Sequence, residues 1–179
     1  MARRIVAGRY TAEIEGDFVV LLIGARINSL RGLRWAKALS SMNRMLRELS
    51  EQPEKGLLGY RMGFPTIVQY WRSFEHLEAW SRDPDDTHAQ VWRDLYRAGF
   101  LEDGSAGIWH ETFRVRAGEY EAIYGNVPAQ GLASITEPQP LGRAASARDR
   151  IAAAGRGMSL RNLPPQRDPG EHIEPSPPH

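Results

Sequence analysis

The order of apolar and polar residues along the chain predicts a mixed α+β domain, with an antiparallel sheet covered by helices on one side. Three observations support it. Residues 15–28 contain an unbroken apolar run, residues 33–49 carry apolar residues three or four apart, and two further strand-like segments flank a tight turn at residues 63–65. With 179 residues, the chain is long enough to form one domain with a substantial core.

The strand predicted within residues 15–28 is the centre of this fold. No polar residue occurs from Phe18 to Gly24, so both faces of the strand are apolar and both need a cover. Helices of the same chain can supply one cover, and a closed sheet, a partner subunit or a bound ligand must supply the other. One face ends in Arg26 and Asn28, which favours a site near that end.

The other elements follow in the order helix, strand, strand, helix, strand. The predicted bounds are a helix at 33–49, strands at 57–63 and 66–73, helical pieces at 74–80 and from 83 onward, a loop at 99–107 and a strand at 108–115. Ser73 is a typical N-cap, and Asp83-Pro84 is typical of the first residues of a helix. Shorter strands are predicted at 9–14 and 119–124. This is the βαββαβ order of ferredoxin-like folds.

The composition changes near residue 136, where proline becomes frequent and large apolar residues become rare. We therefore predict one domain over residues 1–135 and a Pro-, Gly- and Arg-rich tail over residues 136–179. One weak helix is predicted at 144–154. The rest of the tail is expected to be flexible, or to become ordered only on a partner.

Composition and motifs exclude several classes of function. The chain has no cysteine, so disulfides and thiolate chemistry are absent, and the formal net charge of +1 gives no reason to expect nucleic acid or an anionic membrane. No apolar run has the length of a signal peptide or a membrane span, so a cytoplasmic protein is expected. The sequence contains no phosphate-binding loop, metal-ligand spacing or nucleophile elbow.

Three segments carry a resemblance to a known family: EGDFVVLLIGARIN, GLLGYRMGFPTIVQYWRSFEHLEAWSRDPDDTHAQVW and GIWHETFRV. Over residues 8–127 the chain resembles the DUF4188 proteins, a monooxygenase-like group of the dimeric α+β barrel superfamily that includes a fungal fumagillin-pathway monooxygenase. The resemblance implies a homodimer whose two sheets pack face to face, which would provide the second cover. The family has Gly-Arg-Thr at the hairpin turn, whereas this chain has Gly63-Phe64-Pro65-Thr66.

The resemblance also implies a function: a monooxygenase-type oxidoreductase that acts on a hydrophobic small molecule, either without a cofactor or with haem. The superfamily includes both kinds of enzyme, so the cofactor stays open between none and haem. The alternative is a non-catalytic module that binds or senses a hydrophobic ligand or haem.

His110 is the first candidate for a catalytic residue. Strand alternation places Ile108, His110, Thr112 and Arg114 on one face, and this more polar face is predicted to line the barrel cavity, away from the helices. An imidazole there could act as a general base, bind a substrate oxygen or ligate haem iron. The alternative is a structural histidine bonded to a neighbouring strand or to Glu111.

Arg26 and Asn28 are predicted to lie on the cavity face, where Arg26 could bind a carboxylate or stabilise an oxyanion and Asn28 could donate to substrate. The alternative for Arg26 is a salt bridge to Glu111 or Asp17. His88 lies on an apolar helix face, and the resemblance implies that a histidine in this region can carry haem iron. Its alternative is a capping or core histidine.

Three aromatic residues of the hairpin complete the predicted site: Tyr60, Tyr70 and Trp71. Adjacent residues of a strand point to opposite faces, so only one of Tyr70 and Trp71 can contact a ligand, and at least one is expected in the core. The predicted catalytic residues are thus His110 and Arg26, with His110 or His88 as the haem ligand if haem is bound.

Overall fold

The computed structural model describes residues 4–63, 65–141 and 146–156. Its strands are β1 (Arg9–Thr11), β2 (Phe18–Ile27), β3 (Leu57–Arg61), β4 (Thr66–Trp71), β5 (Ala106–Val115), β6 (Tyr124–Gly125) and β7 (Gln139–Pro140). Its α-helices are α1 (Ala36–Leu39), α2 (Met42–Ser50), α3 (Phe74–Arg82), α4 (Thr87–Arg97), α5 (Phe100–Asp103) and α6 (Ala147–Gly155). Short 3-10 helices span Leu30–Trp35, Pro53–Lys55 and Gly131–Ser134.

The main sheet has the strand order β3-β4-β2-β5, and every neighbouring pair is antiparallel. The two outer strands are the second and the last of the βαββαβ series, which is the arrangement of a ferredoxin-like fold. The predicted fold class is confirmed. In the part of the chain that the structure describes, no helix is long and apolar enough to cross a bilayer.

One face of this sheet, the helix face, packs against α2 and α3. Alternate residues of β2, including Val19 and Leu21, point to this face. They form a core with Leu46, Leu49, Leu57, Trp71, Leu77 and Trp80. Leu46 and Trp71 are 0% exposed. Each fully buried side chain of this size stabilises the fold by roughly 1.5–3 kcal/mol, so this core fixes the position of the helices on the sheet.

The opposite face, the outer face, is partly covered by the chain itself. A small sheet of order β6-β1-β7, together with residues 116–141, lies over Phe18, Val20 and Tyr70. Tyr10 stacks on Tyr124 with ring centroids 5.0 Å apart. The expectation that only a closed sheet, a partner or a ligand could cover this face is therefore wrong for one half of it.

The other half of the outer face lacks such a cover among the described residues. Trp109 and Phe113 of β5 point to this face and are 40% and 48% exposed. The indole of Trp109 lies directly against Gly24, where a Cβ atom would come within 2.6 Å of the ring. The expected partner subunit thus remains a prediction for this half alone.

Two helix boundaries differ from the sequence predictions. The single helix predicted at 33–49 is divided into a 3-10 helix, α1 and α2, and the Ser40 hydroxyl donates to the Lys37 carbonyl oxygen at 2.8 Å where α1 ends. The N-cap of α4 is Asp86, which accepts from the backbone N–H of His88 at 3.1 Å. Asp83, the predicted cap, instead closes a turn by accepting from the Asp85 N–H. The Ser73 cap of α3 is confirmed.

Packed structure also continues beyond residue 135. Strand β7 pairs with β1, and Leu141 is buried. In α6, which overlaps the helix predicted at 144–154, Arg150 is only 5% exposed and forms an ion pair with Glu121. The strand predicted at 119–124 is limited to the short β6. The domain boundary near residue 136 remains a prediction, and residues 157–179 of the predicted tail lie outside the described residues.

Candidate active-site cleft

A cleft of about 580 Å³ lies on the helix face, between β2 and β5 below and α3 and α4 above. Its walls are mostly apolar and aromatic, which is typical of a small-molecule site. The polar groups that line it come from His88, His110, Thr112 and Gln69, with Glu78, Ser81 and Arg82 at α3. We call it the histidine cleft because it contains two of the five histidines of the chain.

His110 faces the helices and lies in this cleft. It pairs with Ile23 across β2 and β5, and both line the cleft. The predicted orientation, away from the helices, is wrong because α4 and α5 leave this part of β5 open, so a polar side chain there stays hydrated. Among the described residues His110 has no hydrogen-bond or ion-pair partner. Glu111 points to the outer face and cannot pair with it.

His88 is held at the other side of the cleft, on α4. Its Nε2 accepts a hydrogen bond from Trp92 Nε1 at 3.0 Å, so the proton of the neutral ring resides on Nδ1. That Nδ1 is buried and forms no hydrogen bond of good geometry in the described structure, although the Ser81 backbone lies close enough to favour the charged ring. Burial lowers the pKa of His88, opposed by the Ser81 backbone and the Asp86 carboxylate. We conclude that His88 is neutral near pH 7.

Gln69 is a polar cleft residue that the sequence predictions missed. Its side chain is 0% exposed, and its Oε1 accepts from Trp71 Nε1 at 3.0 Å. This bond directs the amide nitrogen away from Trp71, towards Met42, whose sulfur is 4.0 Å away. The amide N–H groups are therefore weakly satisfied. The signal was a single glutamine in the apolar strand TIVQYW.

A second cavity, of about 730 Å³, lies beside the histidine cleft, on the side of the hairpin turn. We call it the apolar cavity. The two spaces share Ile23, Met42, Trp92 and Ile108 as walls. Helices α1, α2 and α4 cover it on one side and the end of β2 on the other. Among the described residues that line it, Arg26 alone is charged.

Arg26 lies on the opposite face of β2 from His110. Its partner in β5 is Gly107, and its side chain points to the same face as Gly24 and Trp109. The prediction that Arg26 and His110 line one face is therefore wrong. The alternative salt bridge is also not formed, because Arg26 has no ion-pair partner among the described residues and Asp17 accepts from the Ala117 N–H.

Asn28 and the three hairpin aromatics do not reach the histidine cleft. Asn28 Nδ2 donates to the Gly104 carbonyl oxygen at 3.1 Å and ties the end of β2 to the next loop. Tyr70 and Trp71 do point to opposite faces, as predicted, but Trp71 is core and Tyr70 lies under residues 116–141. Burial and then Tyr124 raise the pKa of Tyr70, while Arg61 opposes this rise. Tyr60 packs at the edge of the helix-side core.

The comparison with protein families decides the identity of this fold. The model of the family described as Monooxygenase af470-like matches residues 18–132, which include β2 to β5 and the two histidines of the cleft. The chain belongs to the Monooxygenase af470-like family. The monooxygenase-like resemblance predicted from sequence is thereby confirmed. No protein of curated description matches the sequence.

A solved structure supports the fold of this family member. The chain is similar to aldoxime dehydratase (OxdRE) in complex with butyraldoxime, with a TM-score of 0.55 and 17% sequence identity. The match covers 86% of this chain and 47% of that chain, so the protein spans about half the length of this relative. At this identity the similarity shows the fold alone.

The cleft of this family member does not fit haem well. The Nε2 of His88 is occupied by the Trp92 N–H, so this histidine offers iron no free nitrogen while that bond persists. His110 has free nitrogens, but the one basic residue of the described cleft lining, Arg82, already pairs with Glu78 at 2.9 Å. The haem propionates would therefore lack a free cation. Elsewhere in the described structure, no cluster of three or more metal-ligating side chains occurs.

The cleft can instead carry out proton transfer. It combines a free imidazole at His110 and a hydroxyl at Thr112, both on β5, with a buried amide at Gln69 on β4. All three lie on the helix face, and β2 separates the two strands. His110 and Thr112 are exposed and hydrated in the free protein, whereas Gln69 is buried, and a bound apolar molecule would displace the water between them. This arrangement suits the removal of a proton from a weakly acidic organic molecule.

Proposed function

We propose that this chain is a monooxygenase-type enzyme that oxygenates a hydrophobic small molecule in the histidine cleft without a cofactor. The observation that carries the proposal is His110, an imidazole with no partner among the described residues, on the wall of a mostly apolar and aromatic cleft. A histidine can accept a proton near neutral pH, and membership of the monooxygenase-like family supplies the reaction class.

The proposed chemistry begins with an activated CH₂ group next to an aromatic ring or a carbonyl. His110 takes one proton, and the carbanion gives its electrons to O₂ as a C–O bond forms. The resulting peroxide takes up a proton and then loses water together with the second hydrogen of the carbon. The product is a ketone. One O₂ is consumed, one oxygen atom enters the product and the other leaves as water, so no external reductant is needed.

Gln69 is the proposed donor to the charge that develops on the substrate oxygen, once the side chain of Met42 moves away from the buried amide. Its amide orientation is fixed by Trp71, and its N–H groups have only a long contact with Met42 sulfur. A preorganised neutral donor of this kind stabilises an enolate as it forms. His88, held neutral by burial and bonded to Trp92, has a shaping role, since its Nε2 is already engaged.

We further propose that the working enzyme is a homodimer joined through the uncovered half of the outer face. Trp109 and Phe113 are large, exposed side chains of β5 on this face, with Glu111 between them, and exposed apolar side chains of this size are typical of an interface. This arrangement leaves the histidine cleft, on the helix face, open to substrate.

The second candidate function is a binding module that sequesters a hydrophobic ligand without transforming it. The apolar cavity favours the binding module. Its volume and lining suffice to bind a ligand, and His110 lines the neighbouring histidine cleft and not this cavity. The two candidates differ in whether the imidazole of His110 affects turnover or only contributes to the wall.

The test is His110→Ala, with anthrone as the probe because its CH₂ group is acidic and its oxygenated product is anthraquinone. We expect oxygen uptake to fall by roughly 10²–10⁴-fold while anthrone binding, followed by quenching of tryptophan fluorescence, is retained. Added imidazole should restore part of the rate. His76→Ala, outside the cleft, is the matched control and should keep the rate.

Three results would contradict the proposal. Equal oxygen uptake by the wild type and His110→Ala would remove His110 from the reaction. Binding of anthrone without uptake in the wild type would favour the binding module. A Soret band in the purified protein, or after titration with haemin, would indicate that the cleft holds haem after all.

A further inference from the structure

We propose that the apolar cavity binds the hydrocarbon body of an elongated carboxylate. Arg26 holds the carboxylate, and the opposite end of the molecule points into the histidine cleft. Binding of the carboxylate depends only on the apolar cavity and Arg26. Reaction at the end of the ligand that lies in the histidine cleft rests on the proposed function.

The size and the lining of the apolar cavity fit a flexible hydrocarbon. Its volume of about 730 Å³ lies within the range of cavities that hold small molecules. Ala36 and Ala38 leave space on the helix side, and Met42, Met45 and Met62 contribute side chains that adapt to irregular shapes. A cavity with these walls attracts apolar surface but offers few directional contacts.

The cavity adjoins the histidine cleft at its inner end. Met42, Trp92, Ile23 and Ile108 are walls of both spaces, and a ligand that spans both passes between these side chains. Arg26 lies opposite Gly107 in β5, and His110 is three residues further along that strand, which corresponds to about 10 Å. A ligand bound at Arg26 therefore needs a body of at least that length to reach the imidazole.

Arg26 reaches the cavity because β4 does not extend as far as β2. Strand β4 begins at Thr66, opposite Gly24, so residues 25–27 of β2 have a strand neighbour only on the β5 side. The cavity passes this free edge, and its lining there includes Gly24, Arg26 and Trp109 of the outer face. The guanidinium thus belongs to the mouth of a cavity whose interior is on the helix face.

Arg26 differs from the neighbouring arginines in having no acidic partner among the described residues. Arg31 and Arg34 both pair with Asp103, at 2.6 and 2.9 Å. Arg26 has no such acid within the described residues, although it borders a cavity with no other charge in its described lining. A guanidinium binds a carboxylate with two parallel hydrogen bonds, so an anionic group is the natural partner for this position.

The test compares decanoate with decan-1-ol, measured by calorimetry below the critical micelle concentration. We expect decanoate to bind the wild type about tenfold more tightly, because only the carboxylate carries a charge that pairs with the guanidinium through two hydrogen bonds. Along the series hexanoate, octanoate, decanoate, we expect Kd to fall by about fourfold per added CH₂. Arg26→Gln should abolish the preference for the acid and leave decan-1-ol binding unchanged.

Two matched pairs of variants sharpen the test. Arg61→Gln removes an arginine of β3 that does not line this cavity, and it should keep the preference for decanoate. Val91→Phe fills the cavity from α4 and should weaken decanoate more than hexanoate. Gln90→Phe adds the same ring at an exposed position of α4 and should change neither.

The proposal is overturned if the wild type binds decanoate and decan-1-ol equally, a comparison that does not depend on any variant folding. It is also overturned if Arg26→Gln keeps the preference or if Kd is insensitive to chain length. These outcomes are separate from the proposed function. Binding is measured without turnover, and it should be the same in His110→Ala, whereas failure of that variant to lose oxygen uptake affects only the catalytic proposal.

Discussion

The two faces of the central strand β2 are both apolar in sequence from Phe18 to Gly24, but the two faces of the four-stranded sheet serve different purposes. At one end of the helix face, Trp71 and Leu46 form a closed core, and at the other end α3 and α4 leave the histidine cleft open. The outer face is closed at one end by residues of the same chain and exposes Trp109 and Phe113 at the other. Apolar residues on a strand face therefore indicate that part of the face is buried. Which part remains exposed is determined by how the helices and residues 116–141 pack on the sheet.

The largest expected effect is on the closed end of the helix face. Trp71→Ala removes a fully buried ring that packs on Trp80 with centroids 5.2 Å apart. We expect it to lower the free energy of unfolding by about 3–5 kcal/mol in urea denaturation. Phe113→Ala, on the exposed part of the outer face, should cost less than about 1 kcal/mol in dilute protein. Equal costs would mean that the two faces are equally buried in the monomer.

The next effect concerns the proposed dimer. Phe113→Asp places a charge on the exposed half of the outer face, so we expect the dimer to dissociate at least tenfold more readily in sedimentation equilibrium, since one central aromatic is often worth about 2 kcal/mol. Leu30→Asp introduces the same charge at a side chain that is 87% exposed outside that face, and it is the control. A shift of the same size in both variants would place the interface elsewhere.

The smallest effect is the pH dependence that His88 contributes. Burial lowers its pKa in the folded protein below the usual 6.5, so between these two values only the unfolded chain takes up the proton. Stability should therefore fall as the pH drops below about 6.5, by up to roughly 1.4 kcal/mol per pH unit from this group. In His88→Gln the same series of urea denaturations at pH 7.5, 6.5 and 5.5 should show a weaker dependence.

The sequence predicted the βαββαβ order because each element carries a local signal. The hairpin has its turn at residues 63–65. The Ser73 side chain accepts from a backbone N–H in the first turn of α3, and this cap depends only on residues that are close in sequence. Residues 116–141 carry one weak signal of this kind, the strand predicted at 119–124, of which only the short β6 forms. Their covering role depends on pairing with β1, more than a hundred residues away in sequence, so alternation and propensity gave no indication of it.

The candidate site was predicted in part. Alternation correctly grouped His110 with Thr112, but it could not tell which face the pair occupies, because that depends on the register with Ile23. For the same reason Arg26 was assigned to the face of His110. Gln69 was overlooked because its strand was interpreted only for aromatic residues, although a buried amide among apolar neighbours is itself unusual.

The pairing of β1 with β6 and β7 has a consequence for synthesis on the ribosome. Tyr10 leaves the exit tunnel early, yet its partners Tyr124 and Pro140 follow more than a hundred residues later. Until residues 116–141 emerge, Phe18 and Tyr70 are exposed on the outer face of the nascent sheet. Exposed apolar surfaces of this kind bind chaperones or other incompletely folded chains. A release or pause shortly before residue 140 would thus leave a fragment that contains every strand of the main sheet but exposes the apolar side chains of its outer face.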